Sequence, residues 1–253
     1  MTTPSAAPAH RRHRRGGRLA AVGLAAALAG TTLAACGSSG GGGDQGADGQ
    51  GGTGALRIVA STNVWGDLAG RVAGSHAEVL SIISDPGKDP HSYEADARTQ
   101  LRLSEADLVI VNGGGYDDFV ATMLKAAKHT PTVLDAVDIS GYEQSDGDGL
   151  NEHVWYDIPT AKKVVDQIAS SLSILDQADA ADFAANAAAL QASLDGLIAH
   201  EQSIAAAHAG TPVAITEPVP LYMLDACGLV DKTPAGFSEA IENETDASPR
   251  DVS

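Results

Sequence analysis

The sequence predicts an α/β fold, a parallel sheet flanked by helices, from three observations. Short apolar runs such as Leu56-Arg57-Ile58-Val59-Ala60 and Leu108-Val109-Ile110-Val111 alternate with segments of helical periodicity. The runs are almost continuously apolar, as parallel strands covered on both faces are. A helical stretch over 180–208 would be about 43 Å long at 1.5 Å per residue, enough to cross from one lobe to another. Roughly 200 residues follow a non-folding N-terminus, room for one large domain or two small lobes.

Each element has a local warrant. Residues 56–60 read as a strand, and 63–73 as a helix with Val64, Leu68 and Val72 at four-residue spacing. A strand over 79–83 leads through the turn residues Asp85, Pro86, Gly87 and Lys88 to His91. Residues 96–106 form a short helix carrying Leu101 and Leu103, and 107–111 the clearest buried strand, which ends at Asn112-Gly113-Gly114-Gly115. That glycine run lacks the GxGxxG spacing and the P-loop lysine, so it reads as a tight strand-to-helix turn rather than a phosphate cradle. A helix over 116–127 and a strand over 132–134 follow. After the polar stretch 141–150, Pro159 opens a helix with Ala161, Val164, Val165, Ile168, Leu172 and Leu175 on one face. Past a break at Asp176, the long helix carries Phe183, Leu190, Leu194, Leu197, Ile198 and Ile204, and Gly210 ends it. Alternation resumes with a strand over 212–215, a turn at 216–218 and a helix over 221–227. Residues 233–253 are polar, helical or looped.

The first 35 residues are a signal rather than part of the fold. Arg11, Arg12, Arg14, Arg15 and Arg18 form a positive region, and 19–28 an apolar run too short to span a bilayer. Leu33-Ala34-Ala35-Cys36-Gly37 resembles the bacterial lipobox, in which cleavage precedes the cysteine and its thiol is lipidated. Lipidation is therefore expected at Cys36, with the Gly- and Ser-rich stretch to residue 54 as a flexible tether. The implied location is extracytoplasmic, anchored by lipid to the outer face of the cell membrane. Cys227 is then the remaining thiol, which excludes an intrachain disulfide framework. The whole chain carries a net charge of −17; the signal removes five of 16 basic residues and none of 33 acidic ones, leaving −22. This balance argues against nucleic acid as a partner and suits solubility and cation attraction.

Three residues share one topological position. His91, His153 and Glu217 each lie just past a strand or at the amino end of a helix, where α/β proteins place functional side chains. Taken alone, His91 reads as an exposed loop histidine. Together with His153 and Glu217 it makes a candidate site, since neutral imidazoles and a carboxylate are good ligands for Zn²⁺, Mn²⁺ or Fe²⁺. Tyr93, Glu94 and Asp157 are candidates to orient the imidazoles from behind. Such a site should lose affinity as its histidines protonate around pH 6.

Three segments occur in order: Asp89-Pro90-His91-Ser92-Tyr93-Glu94, Asn151-Glu152-His153-Val154-Trp155-Tyr156-Asp157 and Thr216-Glu217-Pro218-Val219-Pro220-Leu221-Tyr222-Met223-Leu224. They resemble the signature segments of the zinc/manganese substrate-binding lipoproteins of ABC transporters, over about residues 56–253. The resemblance implies two lobes of parallel sheet joined by one long rigid helix, with the metal held in the cleft between them. It implies an N-terminal lobe over 55–158, a helical segment over 159–210 and part of a C-terminal lobe over 211–253. Carried over motif by motif, His91 and His153 are ligands and Glu217 the third. Glutamate at the third position is more typical of manganese than of zinc members. The family's fourth ligand comes from a later strand that these 253 residues do not reach, so the resemblance implies an incomplete C-terminal lobe. Water or a nearby carboxylate such as Glu239 could stand in.

The function implied is capture of Mn²⁺ or Zn²⁺ as transported cargo by a non-enzymatic monomer, for delivery to a membrane ABC permease. Two other classes compete. Two histidines and a carboxylate with an open position also describe a hydrolytic zinc site, but no HExxH-type arrangement supplies its general base. An adhesion or scaffold lipoprotein would be indifferent to metal.

Overall fold

The computed structural model describes residues 55–251 apart from 86, 128 and 144–148; the expected signal, Cys36 and tether lie outside the described residues. Four parallel strands, β1 (Leu56–Thr62), β2 (Ala77–Ile83), β3 (Leu108–Val111) and β4 (Thr132–Asp135), form a sheet in the order β2-β1-β3-β4. Val59 of β1 aligns with Leu80 on one side and Val109 on the other, and Val109 with Val133. Because successive side chains point to opposite faces, β1 and β3 feed two cores at once. Ile58, Ala60, Leu108 and Ile110 pack on one face, and Val59, Val109 and Val111 on the other.

The first face is covered by α1 (Asn63–Ala73), α5 (Ile158–Leu175) and α6 (Ala180–His208), which contribute Trp65, Val72, Val164, Ile168, Leu172 and Phe183. The second is covered by α2 (Ala97–Ser104) and α3 (Asp118–Leu124), through Leu103 and Val120. Caps set several boundaries. Asp96 accepts the N–H of Thr99 to start α2, and Asp157 accepts the N–H of Thr160 to start α5 beside Pro159. Beyond His208, Gly210 takes φ +79°, a turn open to glycine at little cost.

A second, two-stranded parallel sheet pairs β5 (Pro212–Val213) with β6 (Val230–Asp231), bridged by α7 (Leu221–Ala226) and followed by α8 (Ala235–Glu242). The expected α/β fold of parallel sheets flanked by helices, with one long helix between them, is what the chain adopts.

The differences from the sequence reading are local. Helix α1 has the expected bounds, but Trp65, Ala69 and Val72 face the core while Val64 faces solvent. In α2 Leu103 is buried and Leu101 is 55% exposed, because an eight-residue helix turns only one narrow stripe inward. The helix expected over 116–127 starts at Asp118: Tyr116 closes a turn onto the carbonyl of Gly113 instead. Two short elements give no periodic signal: β6 and a five-residue helix, α4 (Ala136–Ser140), which Asp135 caps through the N–H of Asp138. Cys227 is a free, buried thiol, and among the described residues no helix is long and apolar enough to cross a membrane.

Candidate metal centre

The strand order reverses between β1 and β3, and the crevice at the carboxyl ends of these strands is where an open α/β sheet admits ligands. Here it holds a loop. Asn112, at the end of β3, accepts the indole N–H of Trp65 at 3.2 Å and donates to the carbonyl of Glu152 at 2.9 Å. Gly113, Gly114 and Gly115 have φ of +80°, +68° and +98°. A side chain at Gly114 would begin 3.1 Å from Cβ of Glu152. The glycine run is therefore the tight turn its composition suggests, and it leaves room for the loop that carries Glu152 and His153.

His91 sits in the loop between β2 and α2. The Asp89 carboxylate accepts the N–H of His91 at 2.9 Å and of Ser92 at 3.2 Å, folding the loop around its own acid. Burial opposes ionisation of Asp89, but those N–H donations and the nearby imidazole outweigh it and hold the acid below its ordinary range. Nε2 of His91 lies 3.1 Å from Oε1 of Glu152, and its ring meets Tyr116 edge-on with centroids 5.0 Å apart.

His153 precedes a 3-10 turn (Val154–Tyr156) and is 2% exposed. Oδ1 of Asn151 accepts both the backbone N–H of His153 at 3.1 Å and its Nδ1 at 2.7 Å. The amide nitrogen of Asn151 donates to the carbonyl of Pro218 at 3.1 Å, and a carbonyl only accepts, so the orientation of the amide is determined. Nδ1 therefore carries the proton of the neutral ring, and Nε2 presents a bare lone pair. That lone pair faces Oε1 of Glu242 at 3.2 Å. Two acceptors at this separation require a proton or a cation between them. The surroundings agree: burial first, then the His91 charge, push His153 down to about 4. Burial, then Glu152 and Glu217, push Glu242 up. Hence His153 is neutral near pH 6, and the expected proton competition there does not arise from this residue.

Glu217 follows β5 on a bend and is partly buried. It lines a cavity of about 280 Å³ with Asp89, Tyr116, His153 and Glu242. An adjoining cavity of about 320 Å³ is lined by His91, Ser92 and Glu152, and again by Asp89, Glu242 and Glu244. His153 and Glu217 thus share one space, and His91 opens on its neighbour. One ligand atom from each of His91, Glu152 and Glu242 lies within 4.8 Å of the others.

Of the three candidates for orienting the imidazoles, two have other tasks and the third is exposed. The Tyr93 ring packs on Phe119 with centroids 4.7 Å apart and lies under the Lys88 ammonium. Glu94 is exposed, and Asp157 caps α5. The groups set against the imidazoles are Glu152 for His91, and Asn151 and Glu242 for His153. Asn151 and Glu152 are within reach of a sequence argument because they abut His153. Glu242 is not: it lies 89 positions from His153 in the numbering of the chain, and Glu239, one turn earlier, is exposed.

The family model for the zinc-uptake complex component A, periplasmic (ZnuA), matches residues 58–253. The chain is 28% identical over 183 residues to the manganese-binding lipoprotein MntA of Halalkalibacterium halodurans, covering 72% of this chain and 59% of that protein. It is 30% identical over 156 residues to MntA of Bacillus subtilis, covering 60% and 49%. The chain therefore spans between half and three-fifths of the length of these relatives. In fold it is similar to a crystal structure of ZnuA, with TM-score 0.67, 20% identity and coverage of 79% and 75%. It is also similar to the periplasmic zinc-binding protein TroA from Treponema pallidum, with TM-score 0.64, 22% identity and coverage of 78% and 72%. With the match running from within β1 to residue 253, the chain belongs to the ZnuA family.

Proposed function

We propose that this chain is the substrate-binding lipoprotein of a metal ABC transporter, capturing Mn²⁺ or Zn²⁺ as cargo through His91, His153 and Glu217. The reading assigns residues 1–35 to a signal, lipid to Cys36 and a tether to 36–54. The N-terminal lobe is 55–158, the linking helical segment 159–210 and the C-terminal part 211–253. A permease in the membrane is the partner, and the chain works as a monomer at the outer face of that membrane. The observation that carries the reading is the Nε2 lone pair of His153, buried, neutral and aimed at a carboxylate across the cavity that Glu217 also lines.

Capture and release are the whole of the chemistry. Asn151 holds the His153 ring in the tautomer that leaves Nε2 free, which avoids both reorientation and deprotonation when cargo arrives. Tyr116 walls the site between the two histidines; burial raises its phenol far above neutrality, so it stays uncharged. Two nitrogens with carboxylates do not by themselves separate Mn²⁺ from Zn²⁺. The carboxylate at Glu217 and the manganese-binding names of the two curated relatives favour manganese.

Thermal unfolding with Mn²⁺ or Zn²⁺ tests this, beside the double variant His91→Ala, His153→Ala. Binding to the folded state alone adds about 2.7 kcal/mol at a hundredfold excess over Kd. A metal-dependent rise in the parent that vanishes in the variant is expected. Metal-indifferent unfolding of the parent would favour an adhesion or scaffold role instead.

A further inference from the structure

We propose that Glu242, at the carboxyl end of α8, is itself a ligand of the cargo metal. It would be shared between an inner position facing His153, in the cavity that Glu217 also lines, and an outer one made with His91 and Glu152. The proposal rests on the metal-capture reading above and extends its ligand set into a helix that no motif of the sequence marks. Four observations meet at this side chain. Its Oε1 faces the bare Nε2 of His153 at 3.2 Å, a nitrogen with nothing to donate. Its carboxylate, a His91 nitrogen and a Glu152 oxygen offer ligand atoms within 4.8 Å of one another. It lines both cavities, whereas His153 and Glu217 line one and His91 and Glu152 the other. Its side chain is 18% exposed, so it is walled into the cleft rather than solvated beside it.

The carboxylates gathered here repel. The Glu242 acid is raised by burial and by the charges of Glu152 and Glu217, while a divalent cation would relieve that crowding and occupy the gap before Nε2. The outer position is the more accessible one: the His91 side chain is 32% exposed, that of His153 2%. A carboxylate that faces His153 and offers a ligand atom within 4.8 Å of one from His91 lets a metal enter at His91 and settle at His153 without leaving the same acid.

The test is Glu242→Gln in the full chain, with Glu239→Gln as surface control and His153→Ala as site control. Zn²⁺ and Mn²⁺ affinities are read by calorimetry, and Co²⁺ by its visible absorption. Glu242→Gln should weaken Zn²⁺ at least tenfold and shift the Co²⁺ bands, while Glu239→Gln changes neither. Unfolding without metal separates a ligand from a structural partner. Relief of the crowded charge should leave Glu242→Gln at least as heat-stable as the parent, whereas a carboxylate that merely braces His153 would lower its Tm. Parent-like affinity and spectrum in Glu242→Gln, with binding lost in His153→Ala, would overturn the proposal and leave the metal-capture reading standing. Failure of the parent to bind any of the three metals would overturn both.

Discussion

Among the described residues, two clusters of histidine and carboxylate have nearly the same composition and different chemistry. At the first, Nδ1 of His76 lies 2.7 Å from Asp179 and Nε2 3.1 Å from Asp182, and the ring meets Phe183 edge-on with centroids 5.5 Å apart. Asp179 and Asp182 stand at the start of α6, where a helix N-terminus favours negative charge and opposes a cation. Both ring nitrogens are engaged, and one imidazole cannot turn both toward a single ion. This cluster ties the long helix to the turn before β2, beside the bond from Asn186 to the carbonyl of Val72 at 3.1 Å. At the second, His153 gives one nitrogen to Asn151 and turns the other, a bare acceptor, toward the Glu242 carboxylate at 3.2 Å. An available lone pair, not the count of ligand-type residues, separates a clasp from a candidate metal site.

The largest expected effect breaks the second cluster alone. His153→Ala should weaken Zn²⁺ binding by about a hundredfold or more, as loss of a buried ligand with its support does, and calorimetry reads this directly. The matching change, His76→Gln, should leave affinity within about twofold.

Next comes acid. The fold holds His153 at about 4 against 6.5 for the unfolded chain, so the unfolded chain binds the extra proton between those values. Its contribution to stability is intact above about pH 6.5 and is lost as pH falls toward 4, on the order of 3 kcal/mol in all. Glu242 acts in the opposite sense, because its raised acid takes up a proton in the fold first. Metal-free denaturation across this range should therefore show a steeper acid loss in Glu242→Gln than in the parent. Equal slopes would mean that the two groups are not poised as described.

A smaller effect sharpens the role of the supporting amide. Asn151→Ala removes the acceptor that sets the His153 tautomer, and Zn²⁺ affinity should fall by about tenfold while both histidines remain. The smallest is His76→Gln itself. Its partners are partly solvated, so the loss should be about 1 kcal/mol, a drop in Tm of roughly 2–4 °C without metal. A larger drop would mean that the clasp matters more to the fold than its exposure implies.

Some of this is legible in the order of the amino acids. The bounds of α1 and α6, the buried strand β3 and the turn at Gly113 follow from periodicity and glycine chemistry, which act over a few residues. The stripe on the far half of α6 is not: Leu197 and Ile204 are largely exposed, while Glu201 on the same helix is buried. Periodicity shows that a face is apolar, but not whether anything covers it.

The sequence by itself determined the alternation of strands and helices and the loops that carry His91, His153 and Glu217. Each depends on neighbours within a turn or two of chain. Only the tertiary structure decided which groups meet. It packed Tyr93 on Phe119, aimed the Nε2 lone pair of His153 across a cavity, and brought Glu242 to it. Those contacts depend on how the sheet order and α8 place distant segments in one cleft, and no local preference encodes that distance.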